Sequence, residues 1–150
     1  MDRTKYDLTK LSVEHPEGLV IHVTEYTSLL RPSLELALFI SKLKAPIATF
    51  GKGRLNLGPT LIFSAGAQRI CTPETIFQYR LFERMKASAK IDTMPLREQL
   101  EPVILDSADF IHSRTGLHPE LIISILMSER VISAEEAYGL GMVNSIQRTL

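Results

Sequence analysis

Two short runs of apolar, β-branched residues frame a single apolar helix early in the chain. The runs cover residues 18–24 and 47–51, and both compositions are typical of buried strands. Between them, Arg31-Pro32 marks the first turn of a helix that continues to about Leu43. This helix is apolar on more than one face, so we expect it to be covered on both sides. A strand–helix–strand order of this length predicts a parallel crossover and therefore an α/β fold.

The segment GKGRLNLGP turns the chain sharply after the second strand. Asn56 is placed to cap a small apolar helix, and Pro59 falls in its first turn, where the missing N–H costs nothing. Residues 68–71 and 76–79 are the next predicted strands. The helix that Asn56 caps is therefore predicted to be central.

The second half of the chain is predicted to be mostly helical. A helix from about Thr93 is expected to kink near Pro102 and to end at Gly116. Another helix begins at His118-Pro119, and an S-x-x-E capping box at Ser133 opens a short last helix. The run MVNSI is the predicted final strand.

Length and charge exclude several classes of protein. The 150 residues suit one domain, which buries about 70% of its unfolded surface. With 17 basic and 17 acidic side chains, the chain lacks the net charge that attracts nucleic acid or anionic membranes. The single cysteine excludes a disulfide framework and favours a reducing compartment. The start MDRTKYDLTK is polar, unlike a signal peptide. We expect a cytoplasmic protein with a short irregular or helical lead-in over residues 1–17 and one domain over 18–150.

Residue types that bind metals or catalyse reactions are sparse. No two of the four histidines stand three or four positions apart, so no metal site is predicted, and His22 is interpreted as a core or subunit-contact residue. Cys71 lies in a short apolar strand and is expected to be buried and inert. Ser64 lies in the apolar helix, where its hydroxyl is expected to bond to the preceding turn. The residues by themselves offer no catalytic constellation.

The glycine-rich turn allows two interpretations. Gly51, Gly53 and Gly58 match neither the dinucleotide-binding nor the phosphate-loop motif. They bracket a helix start, whose free N–H groups can hold an anion or an oxyanion. They can equally allow a strand and a helix to pack closely. Both interpretations stay open at this point.

Two long stretches together resemble the proteolytic subunit of Clp protease. GKGRLNLGPTLIFSAGAQRICTPETIF is similar to the family's central segment, and TGLHPELIISILMSERVISAEEAYGLGMVNSI is similar to its C-terminal segment. The resemblance covers residues 18–147, with one shorter loop between Ala67 and Arg69. The crotonase superfamily shares this architecture. The resemblance implies a ClpP/crotonase-like spiral of β-β-α units with a helix-rich C-terminal half.

The resemblance also implies where a serine-protease triad would lie, and this sequence departs from the family there. The nucleophilic serine falls on Leu57, or on Asn56 with a shift of one residue. The histidine falls on Arg80 and the acid on Glu129. Neither leucine nor asparagine attacks a peptide carbonyl, and arginine stays protonated and is no base. The family's P-G-G oxyanion segment falls on residues 26–28, which contain no glycine.

These departures predict a non-catalytic ClpP-like protein, a pseudo-peptidase without cofactor. It would act as a scaffold or regulatory subunit, as a homo-oligomer or in a mixed ring with an active Clp-type subunit. The family's inter-ring segment is replaced by LFERMKASAK, so only a tendency to oligomerise is carried over.

Two other hypotheses remain. The first is a crotonase-like enzyme or an acyl- or carboxylate-binding protein that uses Asn56, Gly58, Arg80 and Glu129, although Arg80 and Glu129 can also form a structural ion pair. The other is an ATP-dependent Clp-type serine peptidase with an unrecognised nucleophile such as Ser64 or Ser28.

Overall fold

The computed structural model describes residues 3–26, 29–81 and 100–150 of the chain. Short strands alternate with helices through most of these ranges. In chain order the elements are α1 (Arg3–Glu14), β1 (Leu19–Val23), α2 (Leu30–Ser41), β2 (Ile47–Gly51), β3 (Arg54–Leu55), α3 (Leu57–Ser64), β4 (Gln68–Cys71), β5 (Ile76–Phe77), α4 (Pro102–Thr115), α5 (Pro119–Ser128), β6 (Ile132–Ser133), α6 (Ala134–Leu140) and β7 (Ser145–Ile146).

Four strands form a parallel sheet in the order β1-β2-β4-β7. The helix between the first two strands makes the crossover that the sequence predicted, so the α/β fold class is confirmed. A second sheet has the order β3-β5-β6, in which β5 pairs parallel with β3 and antiparallel with β6. Two of its members, β3 and β6, were not predicted: β3 lies inside the glycine-rich turn and β6 directly precedes the last helix.

Helix α3 is the central element. All eight of its residues are buried. It packs against α2 on one side and against the large sheet on another, and Phe63 meets Phe77 of the second sheet with ring centroids 5.7 Å apart. The helix has no exposed face, and its residues are apolar except for Thr60 and Ser64, as is typical of a buried helix.

The first strand and helix are less buried than the sequence suggested. Strand β1 is an edge strand with alternating exposure, and Val20 and His22 lie on its exposed face. The interpretation of His22 as a core residue is therefore wrong for this chain taken alone. Helix α2 buries one face only, while Leu38 on the other face is exposed. The expectation that both sides are covered is also wrong.

The helix ends follow local sequence signals. Pro102 starts α4 as its first residue instead of kinking a longer helix, and Gly116 closes α4 in the left-handed conformation. The segment 93–99 of the predicted helix lies outside the described residues. At the start of α5, His118 Nδ1 accepts a hydrogen bond from Glu120 N (3.2 Å). At the start of α6, Ser133 Oγ accepts one from Glu136 N (3.1 Å), as the capping box predicts.

The N-terminal lead-in is helical in its described part, as α1. Ser12 is the buried residue of this helix, and its Oγ accepts a hydrogen bond from Ala45 N (3.2 Å). This bond ties α1 to the loop between α2 and β2. Among the described residues, no helix combines the length and the apolar character that crossing a bilayer requires.

Candidate functional site

The start of α3 is organised by the side chain of Asn56. Its Oδ1 accepts hydrogen bonds from Leu57 N (2.8 Å) and from Arg80 N (3.2 Å). The first bond caps the helix, as the sequence predicted. The second bond ties the helix start to the segment that follows β5. One amide oxygen therefore joins two parts of the chain that are 24 residues apart.

Leu57 does not face the solvent. Its side chain is 0% exposed and belongs to the hydrophobic core. Asn56 is exposed, but its amide oxygen is already engaged by two backbone donors. Neither residue at the predicted nucleophile position therefore presents a nucleophilic atom to a substrate.

The amide groups of the first turn of α3 are nearly all used. Leu57 N donates to Asn56 Oδ1, Thr60 N donates to Asn56 O (3.0 Å), and Pro59 has no N–H. Within the described residues, Gly58 N is the amide of this turn that has no hydrogen-bond partner. An oxyanion site of the family type needs two such donors, and this turn offers one.

Gly58 lies against two hydroxyl groups that sequence reasoning missed. A Cβ at this position would come within 3.2 Å of Ser33 Oγ and 3.7 Å of Tyr26 OH. These two hydroxyls are themselves 3.2 Å apart. Burial raises the pKa of Tyr26, and the hydrogen bond with Ser33 works against that rise. No local motif could have revealed the pair, because it joins the end of β1 to α2 across the helix start.

Arg80 and Glu129 lie near the same region but do not form an ion pair with each other. Both are exposed, and none of the ion pairs within the described ranges joins them, so the structural ion pair between them is not formed. Glu129 caps the end of α5 with a φ of 54°, an uncommon conformation for a non-glycine residue. Gln78 Nε2 donates to the Glu129 backbone oxygen (3.3 Å). The structure thus brings Asn56, Gly58 and Arg80 together, with Glu129 beyond Gln78.

The glycine-rich turn has structural reasons of its own. A Cβ at Gly51 would lie 3.1 Å from the Leu55 side chain and 3.2 Å from the Phe63 ring, so the glycine allows β2 to approach α3 closely. Gly53 has a φ of +83°, which glycine adopts without strain. Gly51 therefore supports the packing interpretation, whereas Gly53 meets a backbone requirement, since a Cβ there would have no heavy atom within 4 Å.

The remaining candidates are not assembled into a site. Cys71 is fully buried, and burial raises the pKa of its thiol to about 11, which supports the prediction of an inert cysteine. Ser64 is 3% exposed at the far end of α3. Ser28 and Thr27 lie outside the described residues. Within the described ranges, no group of three or more histidine, cysteine or acidic residues could hold a metal ion.

Two hydroxyls inside the core are a further feature that the sequence did not indicate. Thr60 Oγ1 and Tyr79 OH are fully buried and have no hydrogen bond of good geometry among the described residues. Burial raises the pKa of Tyr79, and the neighbouring Thr60 hydroxyl opposes that rise. Tyr79 directly precedes Arg80, whose amide donates to Asn56 Oδ1.

Comparison with known proteins gives the fold. No family model matches the sequence, and no curated protein matches it. Among solved structures, "ClpP1 from Listeria monocytogenes" is similar, with a TM-score of 0.71 and 16% sequence identity, over 99% of this chain and 87% of that one. The chain has the ClpP fold. At this identity the likeness shows the fold alone.

The ClpP-like fold covers nearly the whole chain, including the stretch before residue 18 for which no resemblance was found in the sequence. The fold that the two motif stretches implied is thereby confirmed. The residue correspondences at Leu57, Arg80 and Glu129 rest on the sequence resemblance and stay predictions.

Proposed function

We propose that this protein is a non-catalytic ClpP-like protein, which acts as a scaffold or regulatory subunit. One observation carries the proposal. At the start of α3, Leu57 is fully buried and the Asn56 side chain is engaged as a helix cap, so no nucleophile stands there.

The groups around this position support the same conclusion. Arg80 carries a guanidinium, which holds its protons at neutral pH and cannot accept one from a nucleophile. The first turn of α3 keeps a single unpartnered amide in the described part of the chain, at Gly58. A serine peptidase needs a nucleophile, a base and a preorganised oxyanion site, and removing one triad member already costs several orders of magnitude in rate.

Ser64 is a poor substitute nucleophile. At about 1.5 Å per residue, it lies roughly 10 Å further along α3 than Leu57. It is also 3% exposed, so a peptide cannot reach it in this conformation. The hypothesis of an active peptidase with a displaced nucleophile therefore has no support from this residue.

We infer the scaffold or regulatory role because the fold is intact while the start of α3 presents no nucleophile. The ClpP-like fold extends over 99% of the chain. We propose that its surface serves assembly, either between copies of this chain or in a mixed ring with an active Clp-type subunit, in the cytoplasm.

Two experiments test the proposal. The purified chain is treated with a serine-reactive fluorophosphonate and assayed with a fluorogenic peptide, alongside the variant S64A. We expect neither labelling nor hydrolysis, and labelling that S64A abolishes would overturn the proposal. Light scattering then gives the native mass, alone and after mixing with an active Clp proteolytic subunit. A monomer that fails to join the active subunit would remove the scaffold role.

A second candidate function has one observation in its favour. Gly58 N, Tyr26 OH and Ser33 Oγ lie together at the start of α3, and Arg80 is exposed nearby. This arrangement suits an acyl or carboxylate ligand, as in a crotonase-like protein. A thermal-shift screen with acyl-CoA esters and short carboxylates tests it. Saturation at one hundred times Kd should add about 2.7 kcal/mol of stability, and no shift with any ligand would exclude it.

A further inference from the structure

A cleft of about 350 Å³ opens where the first turn of α1, the end of β1 and the first turns of α2 meet. Its volume lies in the range of small-molecule sites. The floor is apolar and is formed by Val23, Leu36 and Ile62. The rim is polar and includes the Tyr26 and Ser33 hydroxyls, which are 3.2 Å apart. An apolar floor with a few convergent polar groups is the usual construction of a ligand site.

Two opposite charges line this cleft without meeting. Lys5 is on α1 and Glu35 is on α2, and both contribute to the lining. In the described part of the chain, neither has an ion pair or a side-chain hydrogen bond, either with each other or with a third residue. The Lys5 ammonium lies 5.9 Å from the ring centroid of Phe39, a weak contact that leaves its charge uncompensated.

We propose that this cleft binds an apolar α-amino acid as a zwitterion. The carboxylate pairs with Lys5, the ammonium group pairs with Glu35, and the side chain covers the apolar floor. A ligand with only one charge would leave either Lys5 or Glu35 uncompensated beside it. The cleft shares the Tyr26 and Ser33 hydroxyls with the second candidate site at the start of α3, whereas Lys5 and Glu35 belong to the cleft alone. The proposal does not depend on whether the protein is a peptidase.

The test uses three ligands of similar shape against the full chain. L-Leucine carries both charges, isocaproate only the carboxylate, and isoamylamine only the ammonium. Heteronuclear NMR titration follows the backbone amides of residues 22–26 and 33–36. We expect saturable shifts with L-leucine and binding that is weaker by a factor of roughly three to ten for each singly charged ligand.

Variants assign the effect to the two charges. K5Q and E35Q should each weaken L-leucine binding by a similar factor, while K10Q and E14Q, on the same helix α1 but outside the cleft, should leave it unchanged. Equal affinity for all three ligands, unchanged binding in both cleft variants, or no saturable shift with L-leucine would each overturn the proposal. Because the ligand series uses the unmodified protein, the result stands even if a variant fails to fold.

Discussion

The two ends of α3 are held in opposite ways. At its start, one exposed asparagine caps the helix, and the neighbouring Arg80 is bound through its backbone only. At its end, Arg114 Nε and Nη2 donate to the Ser64 and Ala65 carbonyls (3.2 and 3.1 Å). Arg69 adds a bond to the Gly66 carbonyl (3.2 Å). Cations at a helix C-terminus compensate the negative end of its dipole.

Arg69 also forms hydrogen bonds with the C-terminal part of the chain. Its Nε donates to the Met142 carbonyl (2.9 Å) and its Nη2 to the Gly141 carbonyl (3.0 Å), just after α6 ends. Burial, and secondarily the charge of Arg114, lowers the pKa of Arg69, which is 6% exposed. The same residue type thus has two roles: Arg69 at one end of α3 is buried and donates to three carbonyl groups, and Arg80 at the other end is exposed. The buried end is held by several hydrogen bonds from arginine side chains, whereas the exposed end is held by the Asn56 cap.

Replacing Arg69 should produce the largest loss of stability. R69M removes three hydrogen bonds and leaves buried carbonyls without donors, so we expect a loss of roughly 3 kcal/mol in the free energy of unfolding. Urea denaturation measures it. R80M is the matched control, because it makes the same substitution at the exposed end. A similar loss in both variants would show that Arg69 and Arg80 contribute equally to stability in spite of their different burial.

Cys71, two residues after Arg69, allows a test of whether water is excluded from the region around β4. Burial raises the pKa of this thiol to about 11 from an ordinary 9.0. The neutral thiol is therefore favoured in the folded state, and its contribution is complete below pH 9 and is lost as the pH rises towards 11. We expect a loss on the order of 1–2 kcal/mol over this range. The variant C71S should lack that component, and an unchanged alkaline profile in C71S would show that the thiol is not buried.

The Asn56 cap should contribute less to the free energy of unfolding than the Arg69 side chain. N56A removes the acceptor of two backbone bonds, and we expect a loss of about 1 kcal/mol. N56D keeps an acceptor oxygen at the helix start and should retain nearly full stability. Thermal unfolding of both variants measures the difference. A loss in N56D as large as in N56A would show that the amide, and not the accepting oxygen, is required.

The smallest effect is expected from Arg80 itself. Its side chain is exposed and makes no ion pair within the described residues, so R80Q should change the free energy of unfolding by less than about 0.5 kcal/mol. Chemical denaturation in parallel with R69M gives the value. A loss above 1 kcal/mol would mean that the exposed end is also structural.

Local signals made the helix starts and several strands predictable. Asn56, His118 and Ser133 cap helices as their sequence context indicates, and Gly116 ends one as expected. The strand–helix–strand order gave the parallel pairing of β1 with β2. The two long motif stretches implied the ClpP-like fold that structural comparison confirmed.

The candidate site was predictable only in part. Asn56 and Arg80 are in contact through one hydrogen bond, while the functional roles of Asn56, Gly58, Arg80 and Glu129 stay predictions. The resemblance placed Tyr26 in the oxyanion segment, but its contact with Ser33 was missed, because Ser33 lies on α2 and belongs to no motif. His22 is exposed on the edge strand β1, so the core alternative is wrong, while the subunit-contact alternative stays a prediction.

The sequence by itself determined the class of the fold, several helix ends, and that asparagine and leucine stand at positions 56 and 57, at the start of α3. These depend on the residue types within a few positions of one another, which set backbone conformation and hydrogen-bond capacity locally. The tertiary structure alone decided that Arg69 is buried and Arg80 exposed, and that Lys5 and Glu35 face one cleft without pairing. Burial and charge juxtaposition depend on segments far apart in the chain, and no local pattern records which of them meet.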